Sequence, residues 1–132
     1  MYTILICDDD KDIVSALDIY LTSEGYRTIK AYNGREAIRA VEQNEIHLIL
    51  MDIMMPEMSG ITTLKELQKD ESFTTPVIAV TADAISGAEE KYLENGFCDY
   101  ISKPFTKEQI EKKLIKIFDE QEKNNNNSIE IL

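Results

Sequence analysis

The stretch that decides the fold is Ile46–Met51, which reads Ile-His-Leu-Ile-Leu-Met and is followed directly by Asp52. Apart from His47 it is apolar, and it is too short for a typical helix of a globular protein. Continuous apolar runs of this length are typical of strands in a parallel sheet, which helices cover on both faces. Val77–Val80 has the same character, so we expect at least two fully buried strands.

Three further short runs rich in Ile, Val, Leu and Tyr complete a set of five predicted strands. The five are Tyr2–Cys7, Tyr26–Ala31, Ile46–Met51, Val77–Val80 and Cys98–Ile101. Stretches with apolar residues three and four positions apart separate them, which indicates amphipathic helices. Five strand–helix units with right-handed crossovers predict an α/β fold: a doubly wound, five-stranded parallel sheet with helices on both faces. The flavodoxin-like strand order 2-1-3-4-5 is the obvious candidate.

The chain has 132 residues, of which 43% are hydrophobic, so it is long and apolar enough for one domain with a substantial core. The regular pattern ends near residue 120 and gives way to a polar segment that contains Asn124–Asn127. We therefore predict one domain over residues 1–120 and an Asn-rich, disordered tail over residues 121–132.

The charge balance and the absence of long apolar segments exclude several classes of function. With 25 acidic and 14 basic residues the net charge is -11, which would repel a phosphate backbone, so we expect no direct nucleic-acid binding. No apolar run reaches the roughly 18–20 residues that span a bilayer, and the amino terminus lacks a basic signal-peptide region. We expect a cytoplasmic protein that does not enter membranes, with Cys7 and Cys98 as reduced, mostly buried thiols.

Charged and hydroxyl side chains follow four of the five predicted strands. They are Asp8, Asp9 and Asp10 after the first strand, Asp52 after the third, Thr81 after the fourth and Lys103 after the fifth. Taken singly, such residues are usually turn, capping or solvated residues. Ligands of open α/β sheets, however, bind at the carboxyl ends of the strands. The convergence of these side chains at one edge of the sheet therefore indicates a functional site.

The residue types of this site are suited to phosphoryl transfer. Neighbouring carboxylates repel one another unless a cation neutralises them, and Mg²⁺ prefers such oxygen ligands. A carboxylate such as Asp52 is a nucleophile in aspartyl-phosphate chemistry. Phosphoryl transfer depends mainly on positioning and charge neutralisation, which the metal and Lys103 would share.

Four stretches carry a family resemblance, in the right order and at the right spacing. They are Ile4–Asp10 (ILICDDD), Leu50–Gly60 (LMDIMMPEMSG), Pro76–Ala82 (PVIAVTA) and Gly96–Phe105 (GFCDYISKPF). From about residue 2 to residue 119 the chain resembles the CheY-like receiver domain of bacterial two-component response regulators. Such a domain is a phosphoprotein of signal transduction or of a phosphorelay, and it is not a classical enzyme, although it catalyses its own phosphorylation and dephosphorylation.

The resemblance implies a role for each motif residue around the phosphoacceptor. Asp52 would take a phosphoryl group from a phosphohistidine on a sensor histidine kinase or a histidine phosphotransfer protein. Asp8, Asp9, Asp52 and the Met54 carbonyl would surround Mg²⁺. The phosphoryl oxygens would be held by Thr81, the Ala82 amide and Lys103. The Lys103–Pro104 peptide bond would be cis, which is rare for X-Pro bonds and therefore a sharp geometric prediction.

The resemblance also implies how the signal would leave the site. Phosphorylation would draw the Thr81 hydroxyl inward, and Tyr100 would turn in to fill the vacated space. Helix 4, strand 5 and helix 5, over roughly residues 86–119, would carry the readout to an unidentified effector, either as a monomer or through phosphorylation-dependent dimerisation. Met54 and Asp83 occupy positions that tune the lifetime of the phosphoryl group in the family.

Three alternatives compete with this interpretation. A phosphatase resembling the haloacid dehalogenase family would need a second Asp two residues after Asp52, where Met54 stands, and a cap domain that is missing. A flavodoxin-type electron carrier would need a phosphate-cradling loop where the three aspartates follow the first strand. The chain could also be a receiver excised from a DNA-binding regulator or hybrid kinase, although Lys107–Phe118 lacks the arginine-rich final helix of winged-helix regulators.

Overall fold

The structure is a computed structural model that describes residues 1–82 and 88–131, with side chains described only up to residue 123. Within those residues five strands alternate with five helices. In chain order they are β1 Thr3–Cys7, α1 Lys11–Ser23, β2 Arg27–Ala31, α2 Gly34–Gln43, β3 Leu48–Asp52, α3 Gly60–Gln68, β4 Val77–Thr81, α4 Ala88–Glu94, β5 Asp99–Ser102 and α5 Lys107–Ile131. All strand pairs are parallel, in the order β2-β1-β3-β4-β5. The predicted fold class and strand order are confirmed.

The predicted strands are displaced from the observed ones by no more than two residues. The largest shift is at β3, which begins at Leu48 because its ladder with β1 starts at the pair Ile4 and Leu48. As a consequence Asp52 is the last residue of β3 and pairs with Val80 of β4. Apolar character located the strand, whereas the hydrogen-bonded register determined its ends.

Two hydrophobic layers cover the two faces of the sheet, as expected for buried parallel strands. Side chains alternate between them along each strand. Leu5, Ile49 and Ala79 contribute to the layer that also contains residues of α2, α3 and α4. Ile4 and Leu50 contribute to the other layer, which contains residues of α1 and α5.

Capping residues and glycines mark the ends of several helices. The Thr106 hydroxyl accepts a hydrogen bond from the Gln109 amide, and the Gln109 side chain accepts one from the Thr106 amide, which together form a capping box. Gly25 and Gly96 have φ values of 94° and 101°, so a residue without a side chain is favoured after α1 and α4. The sequence Ser86-x-x-Glu89 has the same capping-box pattern, but Ser86 lies outside the described residues.

Helix α5 continues to Ile131, over residues that we predicted to form a polar tail. Glu, Gln and Lys are good helix formers, so a polar composition does not by itself end a helix. The division of the chain at residue 120 remains a prediction. Among the described residues no helix is both long and apolar enough to cross a membrane. Cys7 is buried as expected, but Cys98, which precedes β5, is exposed.

Candidate functional site

The site lies at the edge of the sheet where parallel strands end side by side. Cys7 pairs with Met51; Asp8 directly follows β1, and Asp52 is the last residue of β3. Both carboxylates are almost fully buried, with 3% of each residue exposed. Burying an unpaired charge is costly, so these two side chains require cations nearby.

One cation is supplied by Lys103, which follows β5. Its Nζ lies 2.9 Å from Oδ2 of Asp8 and 3.3 Å from Oδ1 of Asp52. The Lys103–Pro104 peptide bond is cis, in agreement with the prediction. One ammonium balances only one of these two buried carboxylates, so ionisation of both would leave a negative charge that a further cation could neutralise.

A third carboxylate completes a cluster with the spacing of a metal site. One carboxylate oxygen each of Asp8, Asp9 and Asp52 lies within 4.8 Å of the other two, and Asp9 is exposed. Asp10 is separate: its side chain caps α1 by accepting hydrogen bonds from the amides of Asp12 and Ile13. Of the three consecutive aspartates, the first two belong to the cluster and the third begins the helix.

The environment of Asp52 favours its neutral form when no metal is bound. Burial and the negative charge of Asp8 raise the pKa of the Asp52 carboxyl to about 7, while Lys103 opposes the shift. Oδ1 of Asp52 also accepts a hydrogen bond of 3.3 Å from the Met54 amide. A divalent cation beside this carboxylate would return it to the ionised, nucleophilic form.

The loop that follows Asp52 approaches the strand closely because Gly60 has no side chain. A Cβ at Gly60 would clash with the backbone oxygen of Asp52, and the Gly60 amide donates to the Ile53 carbonyl at 3.0 Å. Glu57 in the same loop adopts a positive φ of 66°, and Met54 exposes 75% of its surface. Sequence reasoning quoted Gly60 within a motif but assigned it no role.

On the other side of Asp52 lie the residues predicted to bind phosphoryl oxygens and to switch. Thr81 ends β4 and is fully buried, and its Oγ1 accepts a hydrogen bond of 3.0 Å from the hydroxyl of Tyr92 on α4. The Ala82 residue is exposed, and Asp83 lies outside the described residues. Tyr100 on β5 is half-buried, and its ring centroid lies 6.3 Å from that of Tyr92.

Tyr92 is the residue of this region that sequence reasoning missed. Two neighbouring large apolar residues, Tyr92 and Leu93, occur in this segment, and only the rotation of α4 decides which one faces the sheet. Tyr92 is 3% exposed and Leu93 is 47% exposed. The amphipathic pattern of a helix of seven residues is too short to make that choice.

The fold and the carboxylate–lysine site define a class of protein: a parallel α/β domain with an acidic metal-type cluster at the carboxyl edge of its sheet. Residues 4–115 match the family model described as the response regulator receiver domain. The chain therefore belongs to the receiver domains of two-component response regulators. Phosphorylation and Mg²⁺ binding are typical of this family.

Two named relatives agree with this assignment. The chain is 36% identical to the Escherichia coli transcriptional regulatory protein CpxR, over 96% of this chain and 56% of that protein. It is 38% identical to the polar-differentiation response regulator DivK of Brucella anthropi, over 79% of this chain and 85% of that protein. The chain thus spans about half the length of CpxR and most of DivK.

Two solved structures superpose closely. The receiver domain of the Francisella response regulator 1452 has a TM-score of 0.85 at 30% identity, covering 92% of this chain and 99% of that one. The Thermotoga maritima response regulator TrrA, solved in complex with Mg²⁺-BeF, has a TM-score of 0.78 at 28% identity, covering 89% and 99%. The family match supports the receiver prediction over the phosphatase and electron-carrier alternatives.

Proposed function

We propose that this receiver domain accepts a phosphoryl group on Asp52 from a phosphohistidine of a sensor histidine kinase or a histidine phosphotransfer protein. The observation that carries the proposal is the buried Asp52 carboxylate, which lies beside Lys103 and within the cluster of Asp8 and Asp9. This arrangement combines a nucleophile with one cation, Lys103, and with carboxylates that can bind a second one.

In this proposal the carboxylates of Asp8, Asp9 and Asp52 and the Met54 carbonyl would hold Mg²⁺. The donor atoms are all oxygens, and three carboxylates against one lysine leave a charge that suits a divalent cation. When bound there, Mg²⁺ neutralises the negative charges of the carboxylates and of the incoming phosphoryl group.

The hydrogen bonds of the two buried aspartates indicate why Asp52 is the nucleophile. Both oxygens of Asp8 accept hydrogen bonds, Oδ1 from the Asp10 amide and Oδ2 from Lys103. Asp52 accepts hydrogen bonds from the Met54 amide and from Lys103, and both bonds are to Oδ1. The second oxygen of Asp52 is then the atom that forms the new bond to phosphorus, while the bond from phosphorus to the histidine nitrogen breaks and its electron pair stays on that nitrogen.

The side chains around Asp52 would then hold the transferred group. Lys103 Nζ pairs with one phosphoryl oxygen, and the Thr81 hydroxyl and the Ala82 amide bind the others. An open, mostly apolar groove of about 570 Å³ runs beside Lys103. Its lining residues are Asp12, Ile13, Ala16, Ala82, Lys103, Pro104 and Phe105. A partner that delivers the phosphoryl group can approach Asp52 across this groove.

The functional consequence is a switch rather than a catalytic cycle. Movement of Thr81 and Tyr100 on phosphorylation would alter the surface formed by α4, β5 and α5, which an effector protein or domain reads. Hydrolysis of the aspartyl phosphate by the domain itself would end the signal, at a rate tuned by the residues at Met54 and Asp83.

The test is incubation of the full chain with a small phosphodonor and Mg²⁺, followed by intact-mass analysis. We expect one phosphoryl adduct in the wild type and none in Asp52→Asn. Asp10→Asn is the matched control, because Asn is as good a helix cap as Asp and Asp10 lies outside the cluster; it should be modified like the wild type. An equal adduct on Asp52→Asn would overturn the proposal.

A further inference from the structure

Helix α4 contacts the core through the buried side chain of Tyr92 and through the partly buried Ala88, which packs against the same layer. Among the described residues of α4, Tyr92 is the one that is buried. Its ring meets Phe97 edge to face, with the centroids 6.1 Å apart, and lies 6.3 Å from Tyr100. What the Tyr92 side chain contacts therefore contributes to the position of this helix.

The polar end of that side chain contacts the proposed phosphate-binding residue. The Tyr92 hydroxyl donates a buried hydrogen bond of 3.0 Å to Oγ1 of Thr81. A buried tyrosine hydroxyl usually needs a partner, because leaving it unpaired is costly. The bond thus connects the end of β4, next to Asp52, directly to α4.

We propose that Tyr92 is a positioning residue that holds Thr81 in the unphosphorylated form and transmits its movement to α4; this rests on the proposed function. The hydroxyl of Thr81 has few staggered orientations because threonine is β-branched. When it turns towards a phosphoryl group on Asp52, Oγ1 leaves the Tyr92 hydroxyl. Tyr92 then loses its buried partner, and α4 must shift to find another one.

In this proposal the Tyr92–Thr81 hydrogen bond disfavours the phosphorylated state. The Tyr92–Thr81 bond stabilises only the unphosphorylated state, so removing it shifts the equilibrium towards the phosphorylated form. A net hydrogen bond of ordinary strength corresponds to about a two- to tenfold change in an equilibrium constant. Tyr92→Phe removes the hydroxyl and keeps the ring that packs against Phe97 and Tyr100.

The experiment is a titration of the full chain with beryllofluoride and Mg²⁺, the ligands present in the TrrA complex, followed by ¹⁹F NMR. We expect Tyr92→Phe to bind beryllofluoride about two- to tenfold more tightly than the wild type. The gain should vanish when Thr81→Val is present in both proteins, since the partner oxygen is then absent. Tyr20→Phe, on α1, is the matched control and should bind like the wild type.

A second readout begins with the wild-type protein, so that one of its two measurements needs no variant. In wild-type protein labelled at tyrosine, the ¹³Cζ resonance of Tyr92 should move when beryllofluoride saturates the site, because its hydroxyl changes partner. In Tyr92→Phe, the α4 amides should already lie closer to their positions in the saturated wild type. A tyrosine with only a packing role would produce neither shift.

The outcomes separate this inference from the proposed function. Equal or weaker binding by Tyr92→Phe, or an unmoved Tyr92 resonance in the saturated wild type, would overturn the role of Tyr92 while leaving Asp52 as the phosphoacceptor. Failure of the wild type to bind beryllofluoride at any concentration of Mg²⁺ would overturn the proposed function and this inference with it.

Discussion

The two sides of the site are stabilised by different forces. On the side of β1 and β3, Asp8 and Asp52 are buried charges that Lys103 contacts at 2.9 and 3.3 Å. On the side of β4, α4 and β5, the contacts of Tyr92 are neutral: a hydroxyl bond to Thr81 and packing against the rings of Phe97 and Tyr100.

The difference in energy between the two sides suits a switch. Breaking a buried charge pair costs several kcal/mol, whereas a neutral hydrogen bond contributes about 1 kcal/mol. The charged side can therefore keep its geometry while the chemistry occurs. The neutral side can be rearranged by the few new contacts that a phosphoryl group makes.

The largest expected effect is that of metal removal on the charged side. In excess EDTA, phosphoryl incorporation from a small phosphodonor should fall about a hundredfold or more, because three carboxylates then repel the incoming group. Asp9→Asn, which removes one exposed charge from the cluster, should weaken Mg²⁺ binding about tenfold or more in calorimetry. Undiminished phosphorylation in EDTA, or unchanged Mg²⁺ affinity in Asp9→Asn, would contradict the metal assignment.

The next effect concerns the stability of the metal-free protein. Folding raises the pKa of Asp52 from 3.8 to about 7, so the folded state binds this proton more tightly than the unfolded state. The resulting stabilisation is complete below pH 3.8 and is lost as the pH rises through 7. One pKa unit corresponds to about 1.4 kcal/mol, so the loss is at most about 4 kcal/mol.

Asp52→Asn cannot titrate and should therefore be more stable than the wild type at pH 8 without metal. The difference should shrink towards pH 5, as measured by urea unfolding in EDTA, and Mg²⁺ should restore the wild type. Asp10→Asn serves as the control. The difference between its free energy of unfolding and that of the wild type should not change with the titration of Asp52. A pH-independent gain in Asp52→Asn would show that this carboxyl is not perturbed.

These two predictions depend on residues that the sequence alone placed correctly. The apolar runs locate the strand ends, and the carboxyl ends of parallel strands share one edge of the sheet. A parallel sheet therefore brings Asp8, Asp52, Thr81 and Lys103 to the same edge. The sequence did not show which of Asp8, Asp9 and Asp10 belong to the cluster. Asp10 has the same side chain as its neighbours, and it caps a helix only because α1 begins directly after it.

The neutral side could not be predicted to the same depth. A resemblance directs attention to Tyr100, but the hydroxyl bond to Thr81 comes from Tyr92, whose orientation depends on the rotation of a seven-residue helix. The continuation of α5 to Ile131 was also hidden, because a polar sequence is compatible with a solvated helix and with a tail. Tertiary placement, rather than residue chemistry, decided the orientation of Tyr92.

A smaller effect is expected where the two sides meet, at Lys103. Lys103→Ala should still accept a phosphoryl group, roughly ten- to a hundredfold more slowly, because one charge that neutralises the transition state is gone. It should nevertheless fail to shift the α4 amides on saturation, since the contact that holds the phosphoryl group in place is lost. Mass analysis and amide NMR on the same sample test both statements. A variant that switches normally once phosphorylated would remove Lys103 from the switching path.

The smallest effect is expected at a second lysine–aspartate pair, Lys113 and Asp99, which serves as a more exposed reference for the pair of Lys103 and Asp8. Lys113 Nζ lies 2.9 Å from Asp99, the same distance as Lys103 from Asp8, but the side chains are 33% and 18% exposed instead of 20% and 4%. Lys113 also lies over the Tyr100 ring, 5.9 Å from its centroid. Because water screens this pair, Lys113→Met should lower the free energy of unfolding by less than about 1 kcal/mol.

The matched variant Lys103→Met leaves two buried carboxylates without their ammonium, so its loss in metal-free protein should reach about 3 kcal/mol. Urea unfolding at pH 8 in EDTA measures both variants. Raising the salt concentration should reduce the effect of Lys113→Met and leave that of Lys103→Met largely unchanged, because salt screens exposed pairs more strongly than buried ones. Equal losses at the two pairs would mean that burial does not set their strengths.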